Sequence, residues 1–130
     1  MADGQKKEKT ILVVEDEEDI RTLLAMRLKV SHFQVLTAGD GDEGLAVIRE
    51  KKPDLVILDL MLPKITGYEL CRMIKFDENL KSIPIIILSA LEMKVDRDRA
   101  LEAGADAYFI KPLNLGLLVA KINQLLQPSA

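Results

Sequence analysis

The chain has one cysteine, one histidine, no excess of positive charge and no apolar run long enough for a bilayer. A lone Cys71 cannot make an internal disulfide, and no histidine lies near it to activate a catalytic thiol, so it reads as a structural thiol in a reducing compartment. The single histidine, His32, precedes a strand where a surface loop is expected, and it is assigned no role. A net charge of −3 gives the surface as a whole no pull towards nucleic-acid phosphates or anionic lipid. No apolar stretch approaches the roughly 20 residues that span a membrane. Residues 1–10 are polar and lysine-bearing, without the apolar core of a secretory signal. A cytoplasmic protein that contacts neither membrane nor nucleic acid directly is expected.

The 130 residues, 48% hydrophobic and 30% charged, suit one soluble core without staples. Short continuous apolar runs at Ile11 to Val14, Val56 to Leu58 and Ile83 to Leu88 read as parallel strands covered on both faces. Two more strands are expected near Phe33 to Thr37 and Ala107 to Ile110. Between them, helical spacing predicts helices over Glu18 to Lys29, Gly41 to Lys51, Gly67 to Phe76, Lys94 to Ala103 and Asn114 to Leu126, each with an apolar stripe. In the first helix the stripe is Ile20, Leu23, Leu24 and Leu28; in the last it is Leu115, Leu118, Ile122 and Leu125. Cys71 and Met73 read as packing residues. Lys52-Pro53-Asp54 stops the second helix, Gly104 suits a left-handed helix cap, and Pro84 can only begin a strand. The expected fold is α/β: a doubly wound, flavodoxin-like (βα)₅ unit with a five-stranded parallel sheet in the order 2-1-3-4-5. It should occupy residues 9–127, between tails at 1–8 and 128–130.

Ligands of such sheets sit beyond the carboxyl ends of the strands. The residues there are Glu15 and Asp16 after the first strand, Asp59 after the third, Ser89 and Ala90 after the fourth, and Lys111 and Pro112 after the fifth. Crowded, partly buried carboxylates raise one another's pKa unless a cation compensates. Oxygen-only donors select a hard ion, so Mg²⁺ is expected at Glu15, Asp16 and Asp59, with Mn²⁺ as a substitute. With that charge in place, Asp59 can act as a nucleophile towards a phosphoryl group. Lys111 is then the natural ammonium, and Ser89 a hydrogen-bond donor to a phosphoryl oxygen.

Taken singly, each signal has a plainer reading: Glu15 to Asp19 as a solvated helix start, Asp59 as a loop cap, Ser89 as a turn hydroxyl, Lys111 as a surface lysine. Their convergence on one sheet edge favours the chemical reading. Leu12 to Asp16, Asp59 to Pro63 with Gly67, Leu88-Ser89-Ala90, Gly104-Ala105 and Lys111-Pro112, in this order, resemble the response-regulator receiver domains of two-component signalling, including the single-domain chemotaxis-regulator type. The resemblance covers about Lys9 to Leu126. It implies that Asp59 is the phosphoacceptor and that Glu15 and Asp16 bind the metal, with Met61 lending its backbone carbonyl. It also implies that Ser89 and Tyr108 are switch residues, that Lys111 is the lysine of the site, and that the Lys111-Pro112 peptide is cis. Glu15 stands where Asp is commoner and Ser89 where Thr is commoner; neither removes a required group.

On this reading the chain is a regulator, not an enzyme, that assists its own phosphorylation and dephosphorylation. A histidine kinase or histidine phosphotransfer protein would supply the phosphoryl group. The signal would leave through the fourth helix, fifth strand and fifth helix to a downstream target, an output domain or a second copy of the chain. No output domain follows the fifth helix, so either a stand-alone receiver or a piece of a longer regulator is expected. The competing readings are a phosphorylation-independent adaptor, disfavoured by the intact acids and lysine, and a flavodoxin-like electron carrier. The acidic Glu15 to Asp19 loop would repel a flavin phosphate.

Overall fold

The computed structural model describes residues 8–91 and 93–127. The two expected tails therefore lie, apart from Glu8, outside the described residues. Five strands alternate with five helices: β1 (Thr10–Val14), α1 (Glu18–Val30), β2 (Gln34–Ala38), α2 (Gly41–Lys51), β3 (Leu55–Asp59), α3 (Gly67–Lys75), β4 (Ile85–Ser89), α4 (Lys94–Glu102), β5 (Ala107–Ile110) and α5 (Leu115–Leu126). The strands are all parallel, in the order β2-β1-β3-β4-β5. This is the expected doubly wound sheet, and its order reverses between β1 and β3.

Alternation along the strands sorts the core into two layers. Leu12, Val14, Val56, Leu58, Ile85 and Ile87 face α2, α3 and α4, where Leu45, Ile48, Leu70, Cys71, Ile74 and Ala100 meet them. Ile11, Val13, Leu55, Ile57, Ile86 and Leu88 face α1 and α5 through Leu24, Leu28, Leu118 and Ile122. Each fully buried aliphatic side chain contributes about 1.5–3 kcal/mol, so β1, β3 and β4 form a stiff floor under whatever stands at their ends.

Local chemistry sets the element ends. Thr66 and Glu69 form a reciprocal capping box at the start of α3, and Asp40 and Asn114 cap α2 and α5. Gly104 takes a positive φ of 103°, as expected of a helix stop. Four expectations need correction. The strand expected from Ile83 begins at Ile85, because the Ile83 N–H donates to the Leu80 carbonyl in a turn and Pro84 has no N–H to offer. Leu23 is 54% exposed rather than part of the inner stripe, and Met73 is also exposed. Finally, α4 has no apolar stripe: Ala100 is its one buried residue, while Val95 and Leu101 face outward. A hydrogen bond from the Tyr68 hydroxyl to the Asp96 carbonyl, 3.2 Å, and the Arg99 guanidinium over the Tyr68 ring, 4.2 Å, tie α4 to α3.

Candidate functional site

Among the described residues, the buried polar or charged side chains are Glu15, Asp59 and Ser89. All three stand at the carboxyl ends of β1, β3 and β4. Main-chain pairing continues just past the strands and fixes them there: the Glu15 N–H donates to the Ala38 carbonyl, Leu60 to Leu88, and Lys111 to Ser89, at 2.8–3.0 Å. The Lys111-Pro112 peptide is cis, as expected.

The side chains close into one cluster. Carboxylate oxygens of Glu15, Asp16 and Asp59 lie within 4.8 Å of one another. The Lys111 ammonium donates to Glu15 Oε1 at 2.9 Å and to Asp59 Oδ2 at 3.1 Å. The Met61 N–H donates to Asp59 Oδ1 at 3.2 Å, while the Met61 side chain is exposed. The acidic run after β1 thus divides: Glu15 turns inward, whereas Glu18 and Asp19 are exposed in the first turn of α1, where acids favour the helix dipole. Ser89 and Tyr108 do not reach the acids directly and meet instead at Leu91. The Ser89 hydroxyl oxygen accepts from the Leu91 N–H at 2.9 Å, and the Tyr108 hydroxyl donates to the Leu91 carbonyl at 2.7 Å.

Burial pushes the Glu15 carboxyl up to about 7; Lys111 opposes the shift and Asp59 adds to it. Burial disfavours the Lys111 ammonium, but its bonds to Glu15 and Asp59 outweigh this and raise its pKa. Three carboxylates facing one ammonium leave an excess of negative charge and hard oxygen donors, which fits a divalent cation such as Mg²⁺. Cys71, 0% exposed, donates to the Ala103 carbonyl at 3.4 Å, and burial lifts its thiol to about 11, so it packs rather than reacts.

The raised Glu15 value has a thermodynamic consequence. The folded protein keeps a proton that the unfolded chain, titrating near 4.5, has already released, so this group's stabilisation is lost as pH rises towards about 7. In chelator, the melting temperature should fall across that window, and Glu15→Gln should remove most of the slope. A wild-type melting temperature that is flat or rising there would contradict the assignment.

One contact was not legible in the sequence. The Arg21 guanidinium, on α1, donates to the Glu15 carbonyl at 2.8 Å.

Comparison with known proteins gives a consistent result. The family described as "Response regulator receiver domain" matches residues 11–123. The alkaline phosphatase synthesis transcriptional regulatory protein PhoP of Bacillus subtilis is 41% identical over 121 residues, covering 93% of this chain and 50% of that protein. The chain therefore spans about half the length of the curated relatives it matches. Among solved structures, the signal receiver domain of a signal transduction histidine kinase from Syntrophus aciditrophicus superposes with a TM-score of 0.85 at 34% identity, covering 91% of this chain and 89% of that one. The BeF3-activated N-terminal receiver domain of Klebsiella pneumoniae RstA does so at 0.83 and 33%, covering 92% and 99%.

Proposed function

Since the chain belongs to the response regulator receiver domain family, we propose that it is a phosphorylation switch whose Asp59 accepts a phosphoryl group from phosphohistidine on a histidine kinase or histidine phosphotransfer protein. The observation that carries this reading is the coincidence of its buried polar residues with the ends of β1, β3 and β4, beside one half-buried lysine. Glu15, Asp16 and Asp59, with the Met61 carbonyl, would hold Mg²⁺ or Mn²⁺. When bound, the ion offsets negative charge on the phosphoryl oxygens.

A carboxylate oxygen of Asp59 attacks phosphorus as the donor's P–N bond breaks, and the imidazole leaves with that electron pair. Lys111 places an ammonium where charge collects on the transferring group. Ser89 then rotates its side chain towards the new phosphoryl oxygens, and that rotation carries its oxygen away from the Leu91 N–H. Because Leu91 also holds the Tyr108 hydroxyl, loss of one bond loosens the other, and Tyr108 can rotate inward. With a single buried residue, α4 resists this shift weakly. The altered face, α4, β5 and α5, would pass the signal to a downstream protein, an attached output domain or a second copy. The names of the curated relatives, transcriptional regulators roughly twice as long as the match, favour an output domain. The receiver portion itself, at net charge −3, is not proposed to touch nucleic acid.

Incubation with acetyl phosphate and Mg²⁺ should add one phosphoryl group, read by intact mass, mapped by peptide analysis to Asp59, and absent with chelator or in Asp59→Ala. No adduct, even with candidate kinases, would favour the phosphorylation-independent adaptor; an adduct on another residue would displace Asp59 as the acceptor.

A further inference from the structure

Arg21 has the geometry of a part of the site that no motif announces. We propose that it is a positioning residue, holding the Glu15 backbone so that its carboxylate is presented to the cation site; this rests on the phosphoacceptor reading above. Register pairing of β1 with β3 ends at Val14 and Leu58, so Glu15 stands one residue past the strand. Its N–H is held by the Ala38 carbonyl of β2, and its carboxylate meets Lys111. Its carbonyl is taken by a guanidinium reaching back six residues from α1, at 2.8 Å. Arg21 is half-buried, and its guanidinium lies close to the β2–α2 turn, with a terminal nitrogen 3.4 Å from where a Cβ on Gly39 would lie. Glu15 is thus fixed from β2, from β5's end and from α1. Without the α1 contact the chain between Val14 and Glu18 gains freedom at the residue that must aim a buried carboxylate.

Arg21 carries two effects of opposite sign. Its charge alone would repel a divalent cation, so a purely electrostatic role predicts tighter Mg²⁺ binding when the charge is removed. A positioning role predicts weaker binding when the hydrogen bond is removed. Direct Mg²⁺ titration by calorimetry, on the full chain, separates them. Arg21→Met, which keeps much of the side-chain bulk, should bind Mg²⁺ about tenfold more weakly, in line with loss of a charged hydrogen bond. Arg21→Lys, which can still donate once, should recover to within about threefold of wild type. With acetyl phosphate, the Mg²⁺ concentration giving half the maximal rate should rise in Arg21→Met by the same factor, while the rate at saturating Mg²⁺ changes less than about twofold.

Mg²⁺ affinity equal to or tighter than wild type in folded Arg21→Met overturns the proposal. If that variant does not fold, Arg21→Leu decides on the same terms: about tenfold weaker binding supports positioning, and affinity equal to or tighter than wild type overturns it. Failure of the phosphoacceptor reading is seen separately, as wild-type protein that binds Mg²⁺ yet takes no phosphoryl group.

Discussion

Lys111→Met should slow phosphorylation by acetyl phosphate at saturating Mg²⁺ by roughly 100- to 1000-fold, the usual loss when one fixed donor to a charged transition state is removed. It should also destabilise the metal-free protein in a pH-dependent way. Lys111 now bonds two buried carboxylates, Glu15 at 2.9 Å and Asp59 at 3.1 Å, and removing one member of a buried charge group typically costs about 3 kcal/mol. Below the titration range of Glu15 the cost shrinks, because a protonated Glu15 can share its proton with Asp59. Above it, a charged Glu15 faces Asp59 without the ammonium. The Glu15 carboxyl, already up at about 7, should move higher in the variant, so the gap in melting temperature from wild type widens as pH rises. Excess Mg²⁺ should close much of that gap, since any cation there offsets the acids, but it should not restore the rate, since in the proposed mechanism the ammonium acts on the transferring group. A variant rate within about threefold of wild type, or a melting gap independent of pH, would remove Lys111 from its assigned role.

The parts of this site that could be read in the sequence share a physical cause. Continuous Val, Ile and Leu runs mark strands buried on both faces, and the residue after each run must lie at the sheet edge, which is where Glu15, Asp59, Ser89 and Lys111 stand. Asp59 and Ser89 close their strands and Glu15 and Lys111 follow theirs. Less legible features depend on which neighbour a residue meets. Ile83 is apolar and buried, like a strand residue, but it packs from the α3–β4 loop. Val95 and Leu101 are apolar, yet Ala100 is the one residue α4 buries and both are turned to solvent. Leu23 fits the α1 stripe by spacing, but the helix buries Leu24, Ala25 and Leu28. Arg21 was invisible because its partner is a main-chain carbonyl, and every residue type carries one.

Gly67→Ala should be a strongly disruptive single-methyl change beside the site, lowering stability by about 2 kcal/mol and the melting temperature by roughly 7 °C. Gly67 is buried in the first turn of α3, and its N–H donates to the Leu60 carbonyl at 2.9 Å. A Cβ there would lie 2.7 Å from both the Asp59 carbonyl oxygen and the Leu60 Cα, and 3.1 Å from the Leu60 carbonyl oxygen. Those are backbone atoms at the end of a fully buried strand, so they cannot rotate away. Helix propensity favours alanine over glycine by at most about 1 kcal/mol, which the overlap exceeds. Gly44 and Gly116 provide the scale: a Cβ on Gly44 meets Val14 methyls at 3.0–3.1 Å, which can yield partly, and one on Gly116 meets only the Asn114 side chain at 3.4 Å. The expected order of melting temperatures is therefore Gly116→Ala above Gly44→Ala above Gly67→Ala. Because the Gly67 overlap pushes on the peptide that follows Asp59, its phosphorylation rate should fall about tenfold or more even where the protein remains folded, while Gly44→Ala, whose strain falls on β1 side chains, should retain most of its rate. A Gly67→Ala protein that melts within about 2 °C of wild type and phosphorylates normally would mean the α3 start can shift as a unit, and that the close approach of α3 to Asp59 does not set the position of the acceptor.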